Sequence, residues 1–151
     1  MLTEADRRLV DDLYAIQAVK FGEFRLKSGA LSPVYIDLRV LISYPAALQA
    51  VAARLLAILQ GLRFDRVAGI PYAGLPIATA VSLAGSLPMV YARREGKGHG
   101  IQRIIEGVFS PGEVVALIDD VISDGASKFE SAEPLLDAGL VVKDFVVLLD
   151  C

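Results

Sequence analysis

Apolar positions along this chain follow two periods. From Thr3 to about Val19 they fall three and four residues apart, with Leu9, Leu13, Ile16 and Val19 on one side and Thr3 where a helix cap belongs. "FGEFRLKSG" alternates and predicts a short strand ending at Gly29, and "SPVYIDLRVLI" predicts a second strand behind its proline. Tyr44-Pro45 opens a long helix, "AALQAVAARLLAILQ", closed by Gly61. Short apolar runs then alternate with helical stretches. "DRVAGI" is a strand, and "PYAGLPIATAVSLAG" is a loop entering a helix of small residues. "LPMVYA" and "EVVALID" are strands, "ASKFESAEPLLDAG" is a helix with Gly139 past its last turn, and "VVKDFVVLLD" is a final strand. This alternation predicts an α/β fold, with βαβ units on a mostly parallel central sheet flanked by helices. In such sheets ligands bind outside the carboxyl ends of the strands.

One stretch breaks the pattern. Positions 93 to 107, "RREGKGHGIQRIIEG", are basic, rich in glycine and poor in core residues, which predicts a mobile basic loop with a weak ribbon at its end.

Composition narrows the class. The chain has 151 residues, 54% of them hydrophobic, which suits a single domain over 1–151 with one core. A net charge of -3 argues against a broad nucleic-acid surface. The apolar runs are interrupted well before the ~18 residues a membrane span needs. A single cysteine, Cys151, rules out an internal disulfide framework, and the charged N-terminal stretch lacks the apolar run of a signal peptide; both point to the cytoplasm.

Four loops carry candidate chemistry. In "VVALIDDVISDGASK" an apolar strand ends on Asp119-Asp120 and leads into Ser123-Asp124-Gly125-Ala126-Ser127, whose backbone N–H groups converge at a helix start and suit a phosphate. Two carboxylates beside a phosphate nest fit a partner with hydroxyl donors or a divalent metal, and a phosphorylated sugar supplies both phosphate and hydroxyls. The loop lacks the Gly-Lys-Ser/Thr order of a Walker motif, since Lys128 follows Ser127, and the Asp-x-Asp spacing of aspartyl phosphatases is absent. Arg93, Arg94, Lys97 and His99 gather on the basic loop, which invites a polyanion whose leaving group they would neutralise. "GIPYAGLP" is a third strand-end loop, shaped by Pro71 and Gly74. In "RLKSGALSPVYIDLR", Lys27 and Tyr35 suit a flat anionic ring through charge and stacking.

Taken together and in this order, the four stretches resemble orotate phosphoribosyltransferases, especially the domain that begins bifunctional UMP synthases. The resemblance covers nearly the whole chain and implies the type I phosphoribosyltransferase fold. It also implies transfer from phosphoribosyl pyrophosphate (PRPP) to orotate, giving orotidine 5'-monophosphate and pyrophosphate in pyrimidine (UMP) biosynthesis. Asp119 and Asp120 match the acids on the ribose hydroxyls, and Ser123 to Ser127 (Ser123, Asp124, Gly125, Ala126 and Ser127) match the loop on the 5-phosphate, with Val121 and Ile122 between them also implied in binding PRPP. Pro71-Tyr72-Ala73 match the loop near the pyrophosphate. Arg93, Arg94, Lys97 and His99 match the loop cations, with Lys97 the one most important for catalysis. Lys27, Tyr35, Ile36 and Ser123 match residues around orotate. Mg²⁺ is implied as cofactor, held mainly by PRPP, and a homodimer is implied in which the mobile loop reaches the neighbouring subunit's site. Ser123 stands where the family has Thr, Asp124 where it has a small neutral residue, Arg94 where it has Lys, and Gly98 where it has an acid. Cys151 stands where an orotate-reading Arg begins the family's C-terminal segment, so the chain is expected to lack that segment. The alternative reading is a non-catalytic or regulatory PRPP- or nucleotide-binding module of the same fold.

Overall fold

A computed structural model describes residues 3–25, 29–93, 104–122 and 126–150. They divide into two compact units, Met1–Ala50 and Val51–Cys151.

In the first unit, Thr3 caps α1 (Glu4–Ala15) through a reciprocal box: the Asp6 N–H donates to the Thr3 hydroxyl at 3.1 Å, and the Thr3 N–H donates to Asp6 Oδ2 at 2.9 Å. Leu9 and Leu13 are buried as the helical period requires. The helix stops four residues short of Val19, because Gln17 adopts a left-handed φ of 61° and Val19 already belongs to the next strand. β1 (Val19–Arg25) pairs antiparallel with β2 (Leu31–Ile36). The second strand is shorter than its apolar run predicts. Leu38–Ser43 form a 3-10 helix, capped where the Asp37 carboxylate accepts the Arg39 N–H and grips its guanidinium, and Leu38 and Leu41 are buried three apart. α2 follows as Pro45–Leu59, with its first six residues in this unit and the rest in the second.

The second unit carries the five-stranded sheet, formed by β3 (Arg66–Gly69), β4 (Met89–Ala92), β5 (Ile105–Glu106), β6 (Val114–Ile122) and β7 (Val141–Asp150). Their order is β5-β4-β3-β6-β7. All neighbours are parallel except the short β4–β5 ribbon. α3 (Gly74–Gly85) links β3 to β4, and α4 (Ala126–Asp137) links β6 to β7. The mostly parallel sheet, the flanking helices and the weak ribbon after the basic stretch all agree with the sequence pattern.

The two faces are packed differently. Ala68, Val90, Val115 and Leu117 join Ala132 and Leu135 of α4 in one buried cluster. Gly69 lies under α3, where a Cβ would sit 2.9 Å from the Ala78 methyl. Each fully buried Leu or Val contributes roughly 1.5–3 kcal/mol relative to exposure, so this core fixes the strand ends that face outward from it.

Candidate functional site

After β3 the chain moves through α3 to β4 on one side; after that it returns to place β6 on β3's other side. The strand order therefore reverses between β3 and β6, and in open α/β sheets ligands bind at such a switch point, outside the carboxyl ends of the strands. Loop 71–73 leaves from this place, and β6 ends there at Ile122.

The backbone there is close-packed. The Ile70 N–H donates to the Ile118 carbonyl at 3.0 Å, and the Gly74 N–H to the Ile70 carbonyl at 3.0 Å. A Cβ on Gly74 would lie 2.6 Å from that Ile118 carbonyl oxygen and 2.9 Å from Asp119 Oδ1. Glycine is what allows the start of α3 to reach the end of β6. Ala73 is the N-cap residue of α3 and gives no side-chain cap. Tyr72, joined to Pro71 by a cis peptide bond, is exposed, and its carbonyl accepts the Leu75 N–H at 3.3 Å.

The sequence pattern ends the strand at the two acids; in the structure β6 runs on through Val121 and Ile122. Both acids therefore lie within a strand, and the period of two sends their side chains to opposite faces. Asp119 follows Val115 and Leu117 toward α4, and Asp120 follows Ala116 and Ile118 to the other face. Asp119 is 6% exposed. Its Oδ2 accepts the Lys128 ammonium, and its Oδ1 accepts the Asp120 N–H at 2.9 Å. Asp120 is half-buried, and its Oδ1 accepts the Val121 N–H at 2.8 Å. Loss of hydration, and then the neighbouring Asp119 charge, push the Asp120 carboxyl above the ordinary aspartate range, against the pull of the Val121 N–H and the Lys128 ammonium.

Arg93, the first residue of the basic stretch, stands exposed at the last described position before residues 94–103. Its guanidinium donates to Glu106 at 3.2 Å, and its N–H donates to the Ile104 carbonyl at 2.8 Å, so both ends of that stretch are tied to the β4–β5 ribbon. In the first unit, the Tyr35 ring lies 5.4 Å from Phe24, and Ile36 pairs with Val19. Lys27, Arg94, Lys97, His99, Ser123, Asp124 and Gly125 lie outside the described residues, and Ala126 and Ser127 are described only as the first backbone positions of α4. Tyr72, Ala73, Asp119, Asp120, Val121 and Ile122 all belong to the second unit, at or beside the β3 and β6 ends.

Lys128 is a buried partner of Asp119 that the motif reading weighs only against the Walker order. A signal was present. Lys128, Ala132 and Leu135 stand four and three apart on the inward stripe of α4, and all three are buried. A lysine on such a stripe requires a buried counter-charge.

No protein-family model matches the chain. It is 49% identical over 144 residues to uridine 5'-monophosphate synthase of Bos taurus, covering 94% of this chain and 30% of that protein. It is 41% identical over 138 residues to orotate phosphoribosyltransferase of Methanospirillum hungatei JF-1, covering 91% of this chain and 78% of that protein. The solved structure of Leishmania donovani UMP synthase matches with a TM-score of 0.85 and 45% identity, over 95% of this chain and 31% of that one. The chain thus spans less than a third of the length of the bifunctional proteins it resembles.

Proposed function

The chain belongs to the orotate phosphoribosyltransferase family, and from that premise we propose that it transfers the phosphoribosyl group of PRPP to orotate, forming orotidine 5'-monophosphate and pyrophosphate on the route to UMP. The observation that carries this reading is the switch point at the carboxyl ends of β3 and β6, where Asp119 lies against the glycine start of α3 and the adjacent Asp120 carboxyl is held above its ordinary pKa.

In this reading PRPP lies across the two strand ends. Asp120 accepts ribose hydroxyls, the 123–127 turn offers N–H groups to the 5-phosphate, and the Tyr72-Ala73 backbone lies along the pyrophosphate. Lys27, Tyr35 and Ile36 surround orotate. As the anomeric carbon parts from pyrophosphate, positive charge grows on the ribose ring and negative charge on the leaving group. Lys97, Arg93, Arg94 and His99 stabilise the latter, and a nitrogen of orotate then takes the anomeric carbon. No covalent enzyme intermediate is required.

Magnesium, when bound with PRPP, neutralises charge on the pyrophosphate. The site's acids are hard oxygen donors, the ligand chemistry this ion takes, and Mg²⁺ is ordinarily held in large part by substrate phosphates. The proposal includes a homodimer in which the basic loop serves the neighbouring subunit. No helix among the described residues is long and apolar enough to cross a membrane.

The test is direct. With PRPP, Mg²⁺ and orotate, the chain is expected to consume orotate absorbance, and Lys97→Ala to slow that by on the order of 10²–10³-fold, the scale for removing one preorganised charge-stabilising donor. PRPP binding without turnover would select the non-catalytic module, and absence of PRPP binding would defeat both readings.

A further inference from the structure

Lysine is almost never fully buried unless paired. Lys128 is 6% exposed, and its ammonium donates to Asp119 Oδ2, on a residue that is also 6% exposed. The second carboxylate oxygen accepts the Asp120 N–H at 2.9 Å and is the atom a Cβ on Gly74 would approach to 2.9 Å. One carboxylate therefore joins α4, the main chain of β6 and the start of α3. The register partners at Asp119 itself are apolar: Asp119 registers with Val147 and Val121 with Leu149 on β7, and Ile118 with Gly69 on β3, while the acid of β7 at this end, Asp150, registers with Ile122. The charge balance is also informative. The ammonium offsets one of the two adjacent carboxylates, Asp119 and Asp120, at a strand end proposed for a strongly anionic ligand.

We propose that Lys128 is a positioning residue of the phosphoribosyl site: by holding the Asp119 carboxylate on the α4 face, it fixes the end of β6 so that Asp120, on the opposite face, is presented to the ligand. This rests on the reading of the crevice as a PRPP site. A buried ion pair adds little net stability but sets geometry, and removing one partner leaves an uncompensated charge.

The experiment titrates the full chain with PRPP and Mg²⁺ by calorimetry and records melting temperatures alongside. Lys128→Met is expected to weaken PRPP binding at least tenfold, and Lys128→Arg to recover most of that loss. The double variant Asp119→Asn with Lys128→Met removes the pair without stranding a charge; it is expected to regain melting temperature but not affinity. If Lys128→Met does not fold, Lys128→Arg and the double variant carry the comparison. Wild-type affinity in Lys128→Met, or affinity that recovers together with melting temperature in the double variant, would overturn the proposal and leave the PRPP reading intact. A wild-type chain with no PRPP affinity would overturn both.

Discussion

β3 and β6 run side by side, yet their two ends are built on opposite principles. At the amino ends, Arg66 and Glu113 form a two-pronged ion pair, with Arg66 Nη2 donating to Glu113 Oε1 at 2.8 Å. The Val114 N–H donates to Asp65 Oδ2 at 2.7 Å, and the Asp65 N–H to the Val114 carbonyl at 2.8 Å. Arg66 and Glu113 complement each other, and the Asp65 carboxylate is held by a backbone N–H. The Arg66 guanidinium, with help from the Ser110 N–H, holds the Glu113 carboxyl at about 2. At the carboxyl ends, two acids share one buried cation, and Asp120 is pushed the other way, above the ordinary range. One end is electrostatically satisfied and serves the fold. The other keeps a charge at a cost, and perturbed carboxyls of this kind cluster at functional sites.

Substitutions at the two ends should separate these roles. The largest effect belongs to Asp120. Losing charge-assisted hydrogen bonds worth roughly 1.5–3 kcal/mol each, Asp120→Asn should weaken PRPP binding about 10- to 100-fold by calorimetry. The same change should raise the denaturation midpoint of the ligand-free protein at neutral pH. A carboxyl whose folded pKa lies above its unfolded one is more stable protonated, and loses that advantage as pH rises through the folded value. A variant that bound PRPP normally would erase the contrast between the ends.

Gly74→Ala comes next. Its methyl would meet backbone at 2.6 Å, so a cost of about 1–3 kcal/mol in urea unfolding is expected, together with weaker PRPP binding. An unchanged midpoint would mean that α3 and β6 separate without strain.

The smallest effect lies at the amino ends and shows as pH dependence. Because the folded pKa of Glu113 lies below its ordinary value of 4.5, the stabilisation is complete above that value and fades as pH falls toward about 2. Glu113→Gln should flatten this part of the acid-unfolding curve and leave PRPP affinity unchanged. A loss of affinity would show that the amino ends also serve the ligand.

Much of this arrangement was legible in the sequence, for physical reasons that differ by element. β3, β4, β6 and β7 are short apolar runs bounded by helix and turn signals, and the parallel sheet follows from their alternation with helices. Thr3 was recognisable as a cap, and Asp6 completes its box. By contrast, "LRVLI" fits a strand or a helix equally on apolarity, and the Asp37–Arg39 contact that settles it is a side-chain event. The placing of α1's end was missed because Gln17 gives no glycine-like warning of its left-handed turn. At the site, the two acids read as one chemical unit. Their division between two faces follows from the continuation of β6 through Ile122, and their partner Lys128 stands nine residues past Asp119, in the next helix.

Hydrogen exchange with and without PRPP and Mg²⁺ tests the central claim most directly, since it compares both ends of β3 and β6 in one sample. Protection is expected to rise at residues 69–74 and 118–122, at the carboxyl ends, and to stay unchanged at 63–66 and 111–114, at the amino ends. Protection gained only at the amino ends, or at neither, would contradict the assignment of the β3–β6 crevice as the PRPP site.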